Sequence, residues 1–211
     1  MNSIVHPRLR PLDLLIHPNL LIRLLSNWLI GFIIFLSVWV LSYGIFPSGS
    51  LRFAAGNPVL TSVGESVLPE ALRIFAWNLC LTGGLVVYSS LFVVKEFPAG
   101  YLLPWIICAH YGALLGTNSF ALPDPAGPAA PNLVVLWTRA GWREISAYLL
   151  IAAALAHIYQ WQLPSWWSTR MKRVRSWREL HLSSGEVICF ILAIGLLGWA
   201  AYVEAWQIIH L

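Results

Sequence analysis

Charged residues are scarce in this chain: they make up 10% of its 211 residues, where soluble domains carry roughly 25%. Hydrophobic residues reach 58% and gather in long runs rather than along amphipathic faces. That excludes an ordinary soluble domain and points to one membrane domain over residues 1–211. Catalytic signatures are missing as well. HExxH, which places two zinc ligands on one helical face, does not occur. Neither does GxSxG, the turn that presents a nucleophilic serine, nor a P-loop for nucleotide phosphates. The chain is therefore expected not to be an enzyme. There is no Cys-x-x-Cys, and Cys80, Cys108 and Cys189 all fall inside apolar runs, as inert buried thiols do. Metal and cofactor are not expected. Prolines at 7, 11 and 18 interrupt the start, and no small-residue cleavage site follows the first long run, so no secretory signal is expected.

What is present is a series of hydrophobic stretches. Two of them, Ala71–Val94 and Ala99–Phe120, are joined by the short link Lys95–Pro98. Each is long enough to cross a hydrocarbon core of about 30 Å at 1.5 Å per residue. Together they predict an antiparallel hairpin of transmembrane helices. The full pattern predicts an all-α, polytopic helical bundle of about five spans, near residues 28–46, 71–94, 99–117, 144–162 and 186–206. A short interfacial helix is expected over Leu12–Leu25. The stretches 47–69 and 122–131, rich in Pro with Gly and Ser, are expected to be loops. Between the fourth and fifth spans, Trp166–Leu182 carries Trp166, Trp167 and Trp177 among five basic residues. It reads as an amphipathic segment at the headgroups.

The net charge is +4, and the basic residues flank the hydrophobic runs. Their counter-charge is then the lipid surface and not nucleic acid. The N-terminus, the Lys95 turn and the 163–185 loop together hold nine Lys and Arg residues, against four on the other side. The positive-inside rule places the N-terminus in the cytoplasm and the C-terminus outside. Tryptophans at predicted span ends, Trp28, Trp142, Trp161 and Trp206, suit interface anchors.

This topology puts Asn78, Asn118, Glu144 and Glu204 in one leaflet, as a candidate polar cluster with Arg73 and Arg143 beside it. An ionisable group inside a span is a site hypothesis by default. Such a cluster could bind a ligand, conduct an ion or dock a partner. It could equally hold helices together by hydrogen bonds, with the glutamates reaching the interface. His110 and His157 are candidate haem or chlorophyll ligands, because imidazole binds metals. Their different depths argue against a single bis-His haem, and both also fit ordinary structural histidines.

The order of motifs is also informative. Phe75-Ala-Trp-Asn78 is followed by a glycine pair, and a later span closes on Tyr111-Gly112-Ala-Leu-Leu-Gly116. Trp142-Arg-Glu144 opens an alanine-rich helix, and the last span ends in Ala201-Tyr-Val-Glu204-Ala205-Trp. This order resembles the stage II sporulation protein M family of bacterial integral membrane proteins. The resemblance implies a five-span helical protein of the bacterial inner membrane with the topology above, whose founding member works with a cell-wall-degrading complex during engulfment. The expected function is non-enzymatic, scaffolding or assembling a membrane complex with protein partners. The alternatives are a transporter component with an outer polar cavity and an accessory subunit of a pigment or redox complex.

Overall fold

The side chain of Asn19 caps the first long helix, accepting the free backbone N–H groups of Leu21 and Ile22. A computed structural model describes residues 11–52, 66–120, 126–132, 134 and 140–210. Before the cap, a single-turn helix α1 (Pro11–Leu15) is tied down by the Tyr101 hydroxyl, which donates to the Leu15 carbonyl at 2.7 Å. Helix α2 then runs Leu20–Ile45. Leu12–Leu25 is therefore not one interfacial helix. The break at 16–19 separates a short hook from a span that begins at Leu20 and not at 28, because Asn19 offers a cap there.

The second long helix, Val67–Ser90, is composite. It comprises α3 (Val67–Trp77), a π-helical turn (Asn78–Gly83) and α4 (Gly84–Ser90). A 3₁₀ turn (Ala99–Tyr101) leads into α5 (Leu102–Thr117), which ends on Asn118 in the left-handed conformation with φ 47°. After α5 come α6 (Ala140–Ala154) and α7 (Ser184–His210). Among the described residues, four helices are long and apolar enough to cross a membrane: 20–45, 67–90, 99–117 and 184–210.

The expected fourth span at 144–162 is corrected. Helix α6 has 15 residues and stops at Ala154, so at 1.5 Å per residue it rises about 22 Å. Most of its residues from Ile145 to Ala154, including Ala147, Tyr148, Ile151 and Ala153, are fully buried. It is the centre of the bundle, and the other helices surround it. The alanine run lets neighbours approach closely, and the chain then leaves the helix for a strand.

The all-α expectation is corrected too. Strands β1 (Phe92–Val94), β2 (Phe97–Pro98), β3 (Trp161–Leu163) and β4 (Lys172–Arg173) form a small sheet in the order β2-β1-β3-β4. β1 and β3 are parallel, with Val93 opposite Gln162, and the other pairs are antiparallel. Lys95 makes the tight β1–β2 turn at φ 58°. This sheet gathers the end of α4, the start of α5 and the exit of α6 at one end of the bundle. The starts of α2 and α7 lie there as well, joined by Arg23 and Glu186.

Helices α2 and α5 touch along a face made by Phe35, Trp39 and Ser42 on one side and Gly112 and Gly116 on the other. A Cβ at Gly112 would stand 2.5 Å from the Phe35 carbonyl oxygen, and one at Gly116 2.7 Å from the Tyr43 nitrogen. Gly112-x-x-x-Gly116 is the small-residue spacing by which helix backbones approach in lipid. Residues 53–65 and 121–125, where loops are expected, lie outside the described residues, as do the N-terminal ten with Arg8 and Arg10, and Arg139.

Candidate functional site

Glu144 sits early in α6 and is buried, at 6% exposure. Two phenols converge on it. The Tyr111 hydroxyl of α5 donates to Oε2 at 2.7 Å, and the Tyr148 hydroxyl, one turn further along α6, donates to Oε1 at 2.9 Å. The Tyr148 oxygen also lies 3.4 Å from the Asn78 carbonyl and faces the Thr82 side chain. A hydroxyl has one proton to give, and the shorter contact assigns it to Glu144. Asn78 and Thr82 both belong to the π turn, where the Gly84 N–H reaches back five residues to the Leu79 carbonyl. Widening a helix this way loosens its carbonyls from their normal partners, and such turns recur at functional sites.

Glu204 projects from α7 within electrostatic reach of Glu144 and of Glu70. Among the described residues no hydrogen bond to its carboxyl is seen. Glu70 is buried at the start of α3 and paired with Arg73 one turn on, at 2.5 Å. The structure thus brings together Glu144, Glu204 and the backbone carbonyl of Asn78. Asn118 serves as the left-handed cap of α5, two turns or about 10 Å beyond Tyr111. Tyr148 and Glu70 had escaped the sequence reading, and Tyr111 entered it only within the motif order. The Glu144–Tyr148 pair carried a usable signal, since residues four apart share a helical face.

A second polar knot lies at the sheet end. Arg23 is fully buried. Its Nε donates to the Ala153 carbonyl at 2.7 Å, one terminal nitrogen to Glu186 at 2.5 Å, and the other to the His17 carbonyl and His157 Nδ1, each at 3.0 Å. The second Glu186 oxygen accepts from the Ser183 N–H and hydroxyl. A guanidinium can only donate, so His157 Nδ1 accepts and Nε2 carries the proton. Nε2 then donates to the Ile16 carbonyl at 3.1 Å. Burial pushes His157 below its ordinary value near 6.5. With both ring nitrogens engaged, this imidazole has no lone pair turned toward a metal. His110 lies on the exposed face of α5, edge-on to Tyr111, so the two histidines do not converge.

Among the described residues no group of three His, Cys, Asp or Glu side chains is placed to hold a metal ion. A polar cavity of about 630 Å³ opens beside the Arg23 knot, lined by Pro18, His157, Arg175, Glu179, His181, Ser183 and Glu186. Its lining is largely self-satisfied: Arg175 donates to the His157 carbonyl at 2.6 Å and stacks on Tyr159. Midway between the knots, Asn27 donates to the Leu149 carbonyl and accepts from Trp105. The chain matches no protein-family model, no curated protein and no solved structure, so what the site can do is read from its own geometry.

Proposed function

We propose that this chain is a multi-span integral protein of the bacterial inner membrane that scaffolds or assembles a membrane complex, without a reaction of its own. One observation carries the reading: the interior polar groups are mostly bonded from helix to helix. Arg23 joins α2, α6 and α7, Asn27 joins α2, α5 and α6, and Glu144 joins α5 and α6. Groups committed in this way fix a rigid body and leave its outer faces to partners. The motif order that resembles the stage II sporulation protein M family favours the same role. The excess of Lys and Arg at the sheet end favours a cytoplasmic N-terminus. Reporter fusions at Ser176 and His210 should then report opposite membrane sides, and the same side for both would refute the orientation. Mild extraction followed by crosslinking in the membrane should recover a stoichiometric protein partner; a chain that is solitary under both treatments contradicts the scaffold.

A second reading, a transport component, is favoured by one feature. Glu204 stands near two other carboxylates without a visible donor among the described residues, and an intramembrane acid so placed marks ion and proton paths in other systems. Vesicles holding the protein alone separate the two. The scaffold predicts proton and sodium fluxes no higher than in empty vesicles. A flux that Glu204→Gln abolishes would establish transport instead.

A further inference from the structure

We infer that the segment joining α6 to α7 is a docking surface for anionic lipid headgroups of the same bilayer that the helices cross. The inference rests on the membrane reading above. Its apolar part is unusually open: Trp167 is 94% exposed, Trp177 61% and Met171 55%. Such side chains are out of place in water but suit the headgroup layer, where an amphipathic indole is favoured.

An aromatic ladder fixes the height of this part. Trp166 packs on Phe97 with ring centres 5.7 Å apart, and Phe97 packs on Trp105 at 5.6 Å. Trp105 belongs to the first turn of α5, where that span starts. The ladder therefore holds Trp166 beside the level at which α5 enters lipid, and it carries Trp167 with it.

The charged part complements an anionic surface. Arg170, Lys172, Arg173 and Arg178 are all exposed. The nearby acid Glu179 is turned back on its own chain, accepting from the Ser176 N–H in a capping box. Addition of a partner strand is disfavoured here, because β4 is two residues long and both are basic, features that blunt a sheet edge. Charge and exposed indoles together select a headgroup layer over a peptide.

The full chain in lipid nanodiscs, where both faces are accessible, provides the test. Discs of phosphatidylcholine are compared with discs that also contain phosphatidylglycerol, and a chymotrypsin-type protease probes cleavage after Trp167 and Met171. Cleavage should be roughly tenfold slower in the anionic discs, and high salt should remove most of that difference. The exposed-site variant R170Q/K172Q/R173Q/R178Q should be cut at the same rate in both lipids. Equal rates for the starting chain would overturn the inference, as would a lipid difference that survives the quadruple change. Equal rates in both lipids that fall only when an acidic protein is added would give the surface to a protein. A chain that fails to enter discs at all would instead defeat the membrane reading, so the two failures are distinguishable.

Discussion

Arg23 and Glu144 are both charged residues buried within a turn or two of a helix start, at opposite ends of the bundle, and they are satisfied in opposite ways. Arg23 meets an opposite charge, two carbonyls and a neutral imidazole, and all three guanidinium nitrogens are engaged. The hydrogen bonds of Glu144 come only from hydroxyls, and the charges acting on Glu204 are the carboxylates of Glu144 and Glu70. The first knot balances its charge internally and ties the break before α2 to α2, α6 and α7. The second leaves Glu204 without a partner of its own among the described residues. A bundle can thus be fastened by electrostatic balance at one end and held by neutral donors at the other.

The strongest way to break this contrast is at Arg23. Arg23→Leu should lower stability by about 3–5 kcal/mol, because it leaves the Glu186 carboxylate buried without its partner. Thermal unfolding in a mild detergent measures it. The double change Arg23→Leu with Glu186→Leu should recover much of the loss; a double variant no better than the single would show that charge balance is not what fastens this end.

Next in size is the contact that runs between the ends. Gly116→Leu should cost about 1–3 kcal/mol by overpacking, because the atoms it meets include the α2 backbone at Tyr43 and Trp39, which cannot swing aside. Gly195→Leu, where nothing lies within 4 Å, is the matched control and should melt like the starting protein. Similar melting of both variants would remove close helix approach from the account.

The Glu144 knot should respond more weakly. Tyr148→Phe should cost about 1 kcal/mol, the usual net contribution of one intramolecular hydrogen bond. Adding Tyr111→Phe should give a non-additive result, because both phenols serve one carboxylate. Strict additivity would mean that the two donors act independently.

The smallest effect concerns pH. His157 is held neutral by burial, with its value below 6.5, while Arg23, Arg175 and Glu186 face it. The unfolded chain takes up this proton first as pH falls, so unfolding gains protons and stability drops with acidity. His157's contribution should be fully present above about pH 6.5 and lost progressively below it. Protonation would also turn Nδ1–H toward the Arg23 guanidinium. Melting temperatures compared between about pH 8 and pH 5 should fall less in His157→Asn than in the starting protein; identical slopes would separate His157 from the knot.

Several features were legible in the residues alone. Glu144 and Glu204 could be paired by depth, because helical rise converts residue number to height once the spans are known. The same logic could not foresee the role of Asn118 as a left-handed cap, because depth says nothing about backbone conformation. Arg23 was counted with the flanking charges because a sequence shows distance from the end of a run and not the partner across the bundle. The partner, Glu186, lies 163 residues away.

Composition and run length by themselves determined that this chain carries helices able to cross a membrane, because enough consecutive apolar residues to span hydrocarbon is a local property. Local too were the small-residue spacing at Gly112 and Gly116 and the concentration of basic residues near one set of helix ends. The tertiary structure alone decided that the alanine-rich helix is short and enclosed, and that 92–98 and 161–173 pair as a sheet. It alone decided which polar groups meet which. Those outcomes depend on contacts between segments far apart in the chain. The energy of such a contact exists only once packing has brought both sides together.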